Sequence, residues 1–168
     1  MPAPKDRLRL SDDVRHRMGV YKTIDDVPDK YRLRNHSAAY DARDVWGDFF
    51  DDKTAKFDTK STRDRYEKAG RYFKTFMTNV GRHHALAAPR HIERLLIALR
   101  DGDVGRHSHT RKLQTVYFEY FQPIDEFYSW LQSHVNHPHV YHPVRMAVVE
   151  GGFAVDVWER KLEQNDKR

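Results

Sequence analysis

The chain has 168 residues, no cysteine, 39% hydrophobic and 33% charged residues, and a formal net charge of +5. That length suits one domain, or one domain with an extra arm, and the missing cysteine excludes a disulfide framework, a thiolate zinc site and a cysteine nucleophile. No apolar run approaches the ~20 residues of a membrane span, and Met1 to Leu10 lack a signal-peptide core, so a soluble, most simply cytoplasmic protein without membrane contact is expected.

Residues 1–36 read as an irregular arm with one short helix, Asp12 to Met18, capped by Ser11 and stopped by Gly19. Pro28 and the paired Asp25 and Asp26 mark turns. The first core helix is expected over 38–51 with Ser37 as its N-cap, since Ala39, Ala42, Trp46, Phe49 and Phe50 share one face. A second runs over 62–80, capped by Ser61 or Thr62. Its stripe is Tyr66, Ala69, Phe73, Phe76, Met77 and Val80, and it ends at Gly81. Its outward face carries Lys68 and Arg71, flanked by Arg63, Arg65 and Lys74. Pro89 opens a third helix that ends before Gly102. A fourth starts between Thr110 and Thr115 and runs to about His134, with one apolar face from Leu113 through Leu131. Pro123 inside it should kink or break it. Residues 136–143 form a turn, and Gly151-Gly152 hinge a last amphipathic stretch bearing Val157, Trp158 and Leu162. No segment alternates over a strand length, so the class is all-α. The expected divisions are an arm (1–36), a core of four helices (37–147) and a C-terminal arm (148–168).

The charge is segregated. Residues 1–59 carry 12 basic and 12 acidic groups, residues 60–112 carry 13 and 5, and residues 113–168 carry 5 and 8. A basic block on an otherwise neutral chain is the footprint of a polyanion-binding face, or a solvated surface that merely looks basic in one dimension. Within it, helices two and four both open on hydroxyl and basic residues, Lys60-Ser61-Thr62-Arg63 and Arg106-His107-Ser108-His109-Thr110-Arg111-Lys112. A helix start offers free N–H groups and partial positive charge, which suits a phosphate, and long basic side chains can reach base edges. Taken singly, such hydroxyls are ordinary caps.

The cluster His134, His137, His139 and His142 has metal-like spacing, yet no acid lies near it in sequence. Capping of helix four and packing of the turn are therefore preferred to a metal site. The sequence holds no glycine-rich phosphate loop, no nucleophile elbow and no zincin motif, and its paired aspartates fall at turns, so neither enzyme activity nor a cofactor is expected.

Thr62, Tyr66, Phe73 and Phe76, then the short third helix, then a basic loop, then Phe127, Tyr128, Trp130 and Leu131 form a pattern over about residues 38–147. It resembles the N-terminal core-binding (SAM-like) domain of phage-integrase-type tyrosine recombinases, particularly the divergent versions of salt-loving archaea, with His142-Pro143 in place of that family's closing Asn-Pro turn. The resemblance implies a helical bundle that clasps double-stranded DNA with its second and fourth helices. It points to Lys60, Thr62, Arg63, Arg65 and Lys68 on one side and Arg106, His107, Ser108, His109, Arg111 and Lys112 on the other, with Arg71 beside them. That family cuts DNA in a separate catalytic domain. Here His142-Pro-Val-Arg145 superficially matches its His-x-x-Arg motif, but no tyrosine follows. The expectation is a protein that binds DNA without cutting it, tied to DNA integration, recombination or a mobile element. The alternative is an interaction module in which residues 150–168 dock on a recombinase or on a second copy. The Met1 start and the charged end at Arg168 suggest a complete chain.

Overall fold

Four short 3-10 turns open the fold, Val14–Arg17, Ile24–Asp26, Asp29–Tyr31 and Leu33–His36, in a computed structural model that describes residues 11–56, 59–105 and 109–166. The first turn is capped by Asp13, whose Oδ1 accepts from the Arg15 N–H at 2.9 Å, and Gly19 leaves it at φ 83°. This segment is irregular, as expected, but it is not loose. Val14, Met18, Val27 and Leu33 are buried in the common core, and the Leu33 N–H donates to the Tyr141 hydroxyl at 2.9 Å.

Among the described residues seven helices follow, and there is no strand. They are α1 (Ser37–Tyr40), α2 (Val45–Thr54), α3 (Lys60–Asn79), α4 (Pro89–Asp101), α5, α6 (Pro143–Glu150) and α7 (Phe153–Asp166). Helix α5 starts as Leu113–Thr115, continues as a π-helical turn Val116–Phe121 and closes as α-helix Gln122–Ser133.

The single helix expected over 38–51 is two. Ala42 sits at φ 59°, and Asp44 starts α2 as its N-cap by accepting from the Gly47 N–H at 3.0 Å. Ala39 and Ala42, counted into the apolar face, are exposed, and the Ser37 hydroxyl donates to the Arg34 carbonyl instead of capping. Helix α3 begins at Lys60 after Thr59, so neither Ser61 nor Thr62 caps it; Thr59 Oγ1 donates to Thr62 Oγ1 at 2.8 Å. Its stripe of Tyr66, Ala69, Phe73 and Met77 is buried, as the periodicity predicts. Helix α4 runs from Pro89 to Gly102, which ends it at φ 84°.

Pro123 lacks the N–H that an α-helix needs, and its ring crowds the preceding turn. The chain neither stops nor leaves that turn unsatisfied. It widens by one residue, and the Gln122 N–H reaches back to the Tyr117 carbonyl. Leu113, expected on the buried face, is exposed.

Helix α6 has no counterpart in the sequence reading, whose domain boundary at 147/148 falls inside it. Pro143 occupies its first turn, His142 Nδ1 accepts from the Arg145 N–H at 3.4 Å, and Val144, Met146, Ala147 and Val148 are buried. After Gly151 and Gly152, Glu93 of α4 caps α7, accepting from the Phe153 N–H (2.6 Å) and the Ala154 N–H (2.9 Å). The apolar stripe of residues 150–168, the docking segment of the alternative reading, packs on the chain itself. Val157 and Trp158 are buried and Leu162 half-buried in the core formed with α4, α5 and α6.

The core is aromatic. Phe127 lies 4.9 Å from Trp46, 5.4 Å from Phe49 and 5.3 Å from Tyr128 between ring centroids. The Trp46 indole crosses α3 at Gly70, where a β-carbon would overlap its Nε1, Cδ1 and Cε2 atoms. Gly70→Ala gains ~1 kcal/mol of helix propensity, yet it is expected to lower stability by about 2 kcal/mol net through overpacking. Urea unfolding checks this: a midpoint equal to the parent's would refute the close packing.

Candidate nucleic-acid interface

The basic block folds onto three pieces of surface: the outer side of α3, the outer side of α4 and the start of α5. Helix α3 is 20 residues, about 30 Å, long. Its first turn contains no acid and Thr59 makes no capping hydrogen bond, while Lys60, Ser61 and Arg63 are exposed and Thr62 is half-buried. Cations at a helix N-terminus oppose the macrodipole and add to its partial positive charge. The arrangement costs local stability and offers N–H groups and ammonium or guanidinium groups together.

One turn further, the block is partly spent on internal contacts. Arg65 Nη1 donates to the Phe118 carbonyl (2.6 Å) and Gln122 Oε1 (3.1 Å), and its guanidinium lies 3.9 Å from the centroid of the Phe118 ring. Lys68 pairs with Glu119 at 3.1 Å. Ser61, Thr62, Asp64, Arg65, Lys68, Phe118 and Glu119 line a groove of about 430 Å³ there, so two carboxylates stand among its cations. Arg71 is exposed and lines a second groove of about 770 Å³ between α3 and residues 103–105, with Tyr72, Thr75, Phe76 and Asn79 on its α3 side.

On the α5 side, His109 and Lys112 are exposed. Arg111, expected on the DNA-facing surface, is instead buried. Its Nη1 donates to the carbonyls of Leu99 (3.3 Å) and His109 (3.2 Å), and its guanidinium stands 5.5 Å from Tyr72 and 5.4 Å from Tyr120. A count of charges along a sequence is blind to such burial. Arg106, His107 and Ser108 lie outside the described residues. The two helix starts do not meet: α3 and α5 run antiparallel, with Tyr66 on Glu126, Lys68 on Glu119 and Tyr72 on Tyr120, so α5 starts toward the far end of α3. Arg111 lies beside Tyr72, ten residues along α3 from Thr62, a stagger of about 15 Å. The sequence reading missed Phe118, an aromatic 39% exposed on the π-helical turn. Its signal was there, as the one ring in 117–121 out of phase with the apolar stripe.

The histidines are drawn into packing. His134 Nδ1–H donates to the Trp130 carbonyl (2.7 Å) and so caps the end of α5, and His139 Nε2–H donates to the Ala85 carbonyl (2.6 Å). His137 Nδ1 shares a 2.6 Å hydrogen bond with the Tyr40 hydroxyl. His142 Nε2–H donates to the Asp125 carbonyl (3.1 Å), and that ring nitrogen stands 3.5 Å from Oδ1 of the same residue. No group of three His, Asp or Glu placed to hold a metal ion occurs among the described residues. Burial pushes His139 and His142 down to about 4, and His84, beside His83, to about 3. Burial together with Arg90, Arg82 and Arg94 lowers His91 to about 4.

Residues His142 and Arg145, which match the His-x-x-Arg pattern, belong to a buried ion network. Arg145 Nε donates to Asp125 Oδ1 at 3.1 Å, Arg145 Nη1 donates to the Arg17 carbonyl, and Lys161 Nζ lies 3.6 Å from Oδ2. Burial alone would raise the Asp125 carboxyl. His142, Arg145 and Lys161 outweigh it and hold the group at about 2. No helix among the described residues is long and apolar enough to cross a membrane. No family model matches the chain, and neither a curated protein nor a solved structure matches it.

Proposed function

We propose that the chain binds double-stranded DNA without cutting it, through the outer face of α3 and the start of α5. The observation that carries the reading is the first turn of α3, where Lys60 and Arg63 stand exposed, the turn itself holds no acid, and Thr59 makes no side-chain cap. Lys60, Thr62, Arg63, Arg71, His109 and Lys112 make the phosphate-facing set. Arg65 and Lys68 hold α3 against α5, and Arg111 is an internal brace. The resemblance to a recombinase core-binding domain supports the same reading and ties it to DNA integration or to control of a mobile element.

Phosphate contacts release counterions, so binding must weaken with salt by about 0.9 log units per tenfold salt for each contact. The fourfold variant Lys60→Ala, Arg63→Ala, Arg71→Ala, Lys112→Ala is expected to flatten that slope by about 3 to 4 units and to leave the helical circular-dichroism spectrum unchanged. Fluorescence anisotropy with a labelled duplex, against single-stranded and heparin competitors, reads it. An unaltered slope, or equal competition by heparin, would defeat the proposal.

A further inference from the structure

Asp125 is buried with two cationic partners, Arg145 and Lys161; Arg111 is buried with no anionic one. Its side chain is 6% exposed, Nη2 is enclosed without a hydrogen-bond partner, and no carboxylate pairs with it among the described residues. Two carbonyl oxygens and the faces of Tyr72 and Tyr120 are all it has, and these leave a full positive charge in a low-dielectric site. A guanidinium in that state is a strong receptor for a planar or tetrahedral oxyanion, which it binds through paired N–H groups.

Tyr72, which covers Arg111, also walls the groove of about 770 Å³. That volume falls in the range of small-molecule sites. Arg71 adds a second guanidinium, Thr75 and Asn79 add polar groups, Phe76 with Tyr72 adds apolar ring surface, and Asp103 sets one carboxylate on the opposite wall. Gly105, at φ 83°, lets the backbone abut the edge of the half-buried Tyr72 ring, where a β-carbon would stand 2.6 Å from Cε1. We infer that this groove binds an aromatic organic phosphate of nucleotide size. The phosphate pairs with Arg111 and Arg71 once Tyr72 turns aside, and the flat ring lies on Phe76 and Tyr72. The inference shares Arg71 with the DNA-facing set but is separable from duplex binding through Arg111, which is not in that set.

Thermal unfolding of the full chain tests it, with inorganic phosphate, adenosine monophosphate and adenosine as probes at constant ionic strength. Adenosine monophosphate at 5 mM is expected to raise the Tm by about 3 °C, phosphate by less, and adenosine not at all. Arg111→Met keeps the volume and removes the charge, which buried sites tolerate, and it should abolish the rise while leaving duplex affinity unchanged. A rise that persists in Arg111→Met, or its absence in the parent chain, would overturn the inference. Should Arg111→Met fail to fold, Arg71→Ala, at an exposed position, decides. There a tyrosine-fluorescence titration should show at least tenfold weaker binding of adenosine monophosphate, and unchanged binding would overturn it. Displacement of the nucleotide by a short duplex would assign the phosphate site to the DNA backbone, against a separate small-molecule site.

Discussion

Acidification from pH 6.5 to pH 4.5 is expected to unfold the chain, with the steepest loss near pH 5. His84, His91, His139 and His142 are buried and held at about 3 to 4, whereas the same residues in an unfolded chain titrate near 6.5. Between those values the unfolded state takes up protons that the folded state refuses. Their stabilising effect is therefore complete above about pH 6.5 and is lost as the pH falls toward 4. Each histidine adds a slope of up to ~1.4 kcal/mol per pH unit, so together they can remove most of the 5–15 kcal/mol that a typical domain possesses. Asp125 acts lower on the scale. With its carboxyl held at about 2, its contribution survives until the pH drops below about 4. Urea titrations at half-unit pH intervals measure the slope, and a flat midpoint from pH 7 to pH 5 would sink the assignment.

Asp125→Asn is expected to cost about 3 to 5 kcal/mol at pH 7, because it leaves Arg145 and Lys161 buried beside a neutral amide. The damage would spread across the chain, since the carboxylate on α5 anchors groups from α6 and α7, and through Arg145 the Arg17 carbonyl of the first 3-10 turn. Adding Arg145→Met to the variant should recover part of the loss by removing one orphaned charge. A single-variant loss below 1 kcal/mol in urea would show that the network is not the clasp it resembles.

Helix α4 was legible to the residue, because Pro89 and Gly102 each act through backbone geometry that needs no tertiary partner. The buried stripe of α3 was legible for the same local reason. What failed depended on contacts distant in sequence. The turns at 14–36 read as an arm, although Leu33 is fixed by Tyr141, which lies more than a hundred positions later. The break between α1 and α2 was hidden because Ala39 and Ala42 fit the helical period while facing solvent. Helix α6 is too short for a periodic signal, and only Pro143 and the apolar run behind it betrayed it. At the candidate interface, composition located the basic region, but only three-dimensional packing separates Arg111, turned inward, from Lys112 next to it.

The turn before Pro123 is equivalent to one residue inserted into a regular helix, and such an insertion rotates everything ahead of it by about 100°. That rotation is taken up within a turn in which Val116, Tyr117, Tyr120 and Phe121 all stay buried. It also makes the azimuth of Lys112 and Leu113 a property of the proline: with Pro123→Ala the register could relax to an ordinary spiral, and the basic lead-in of α5 would point to a different quadrant of the surface.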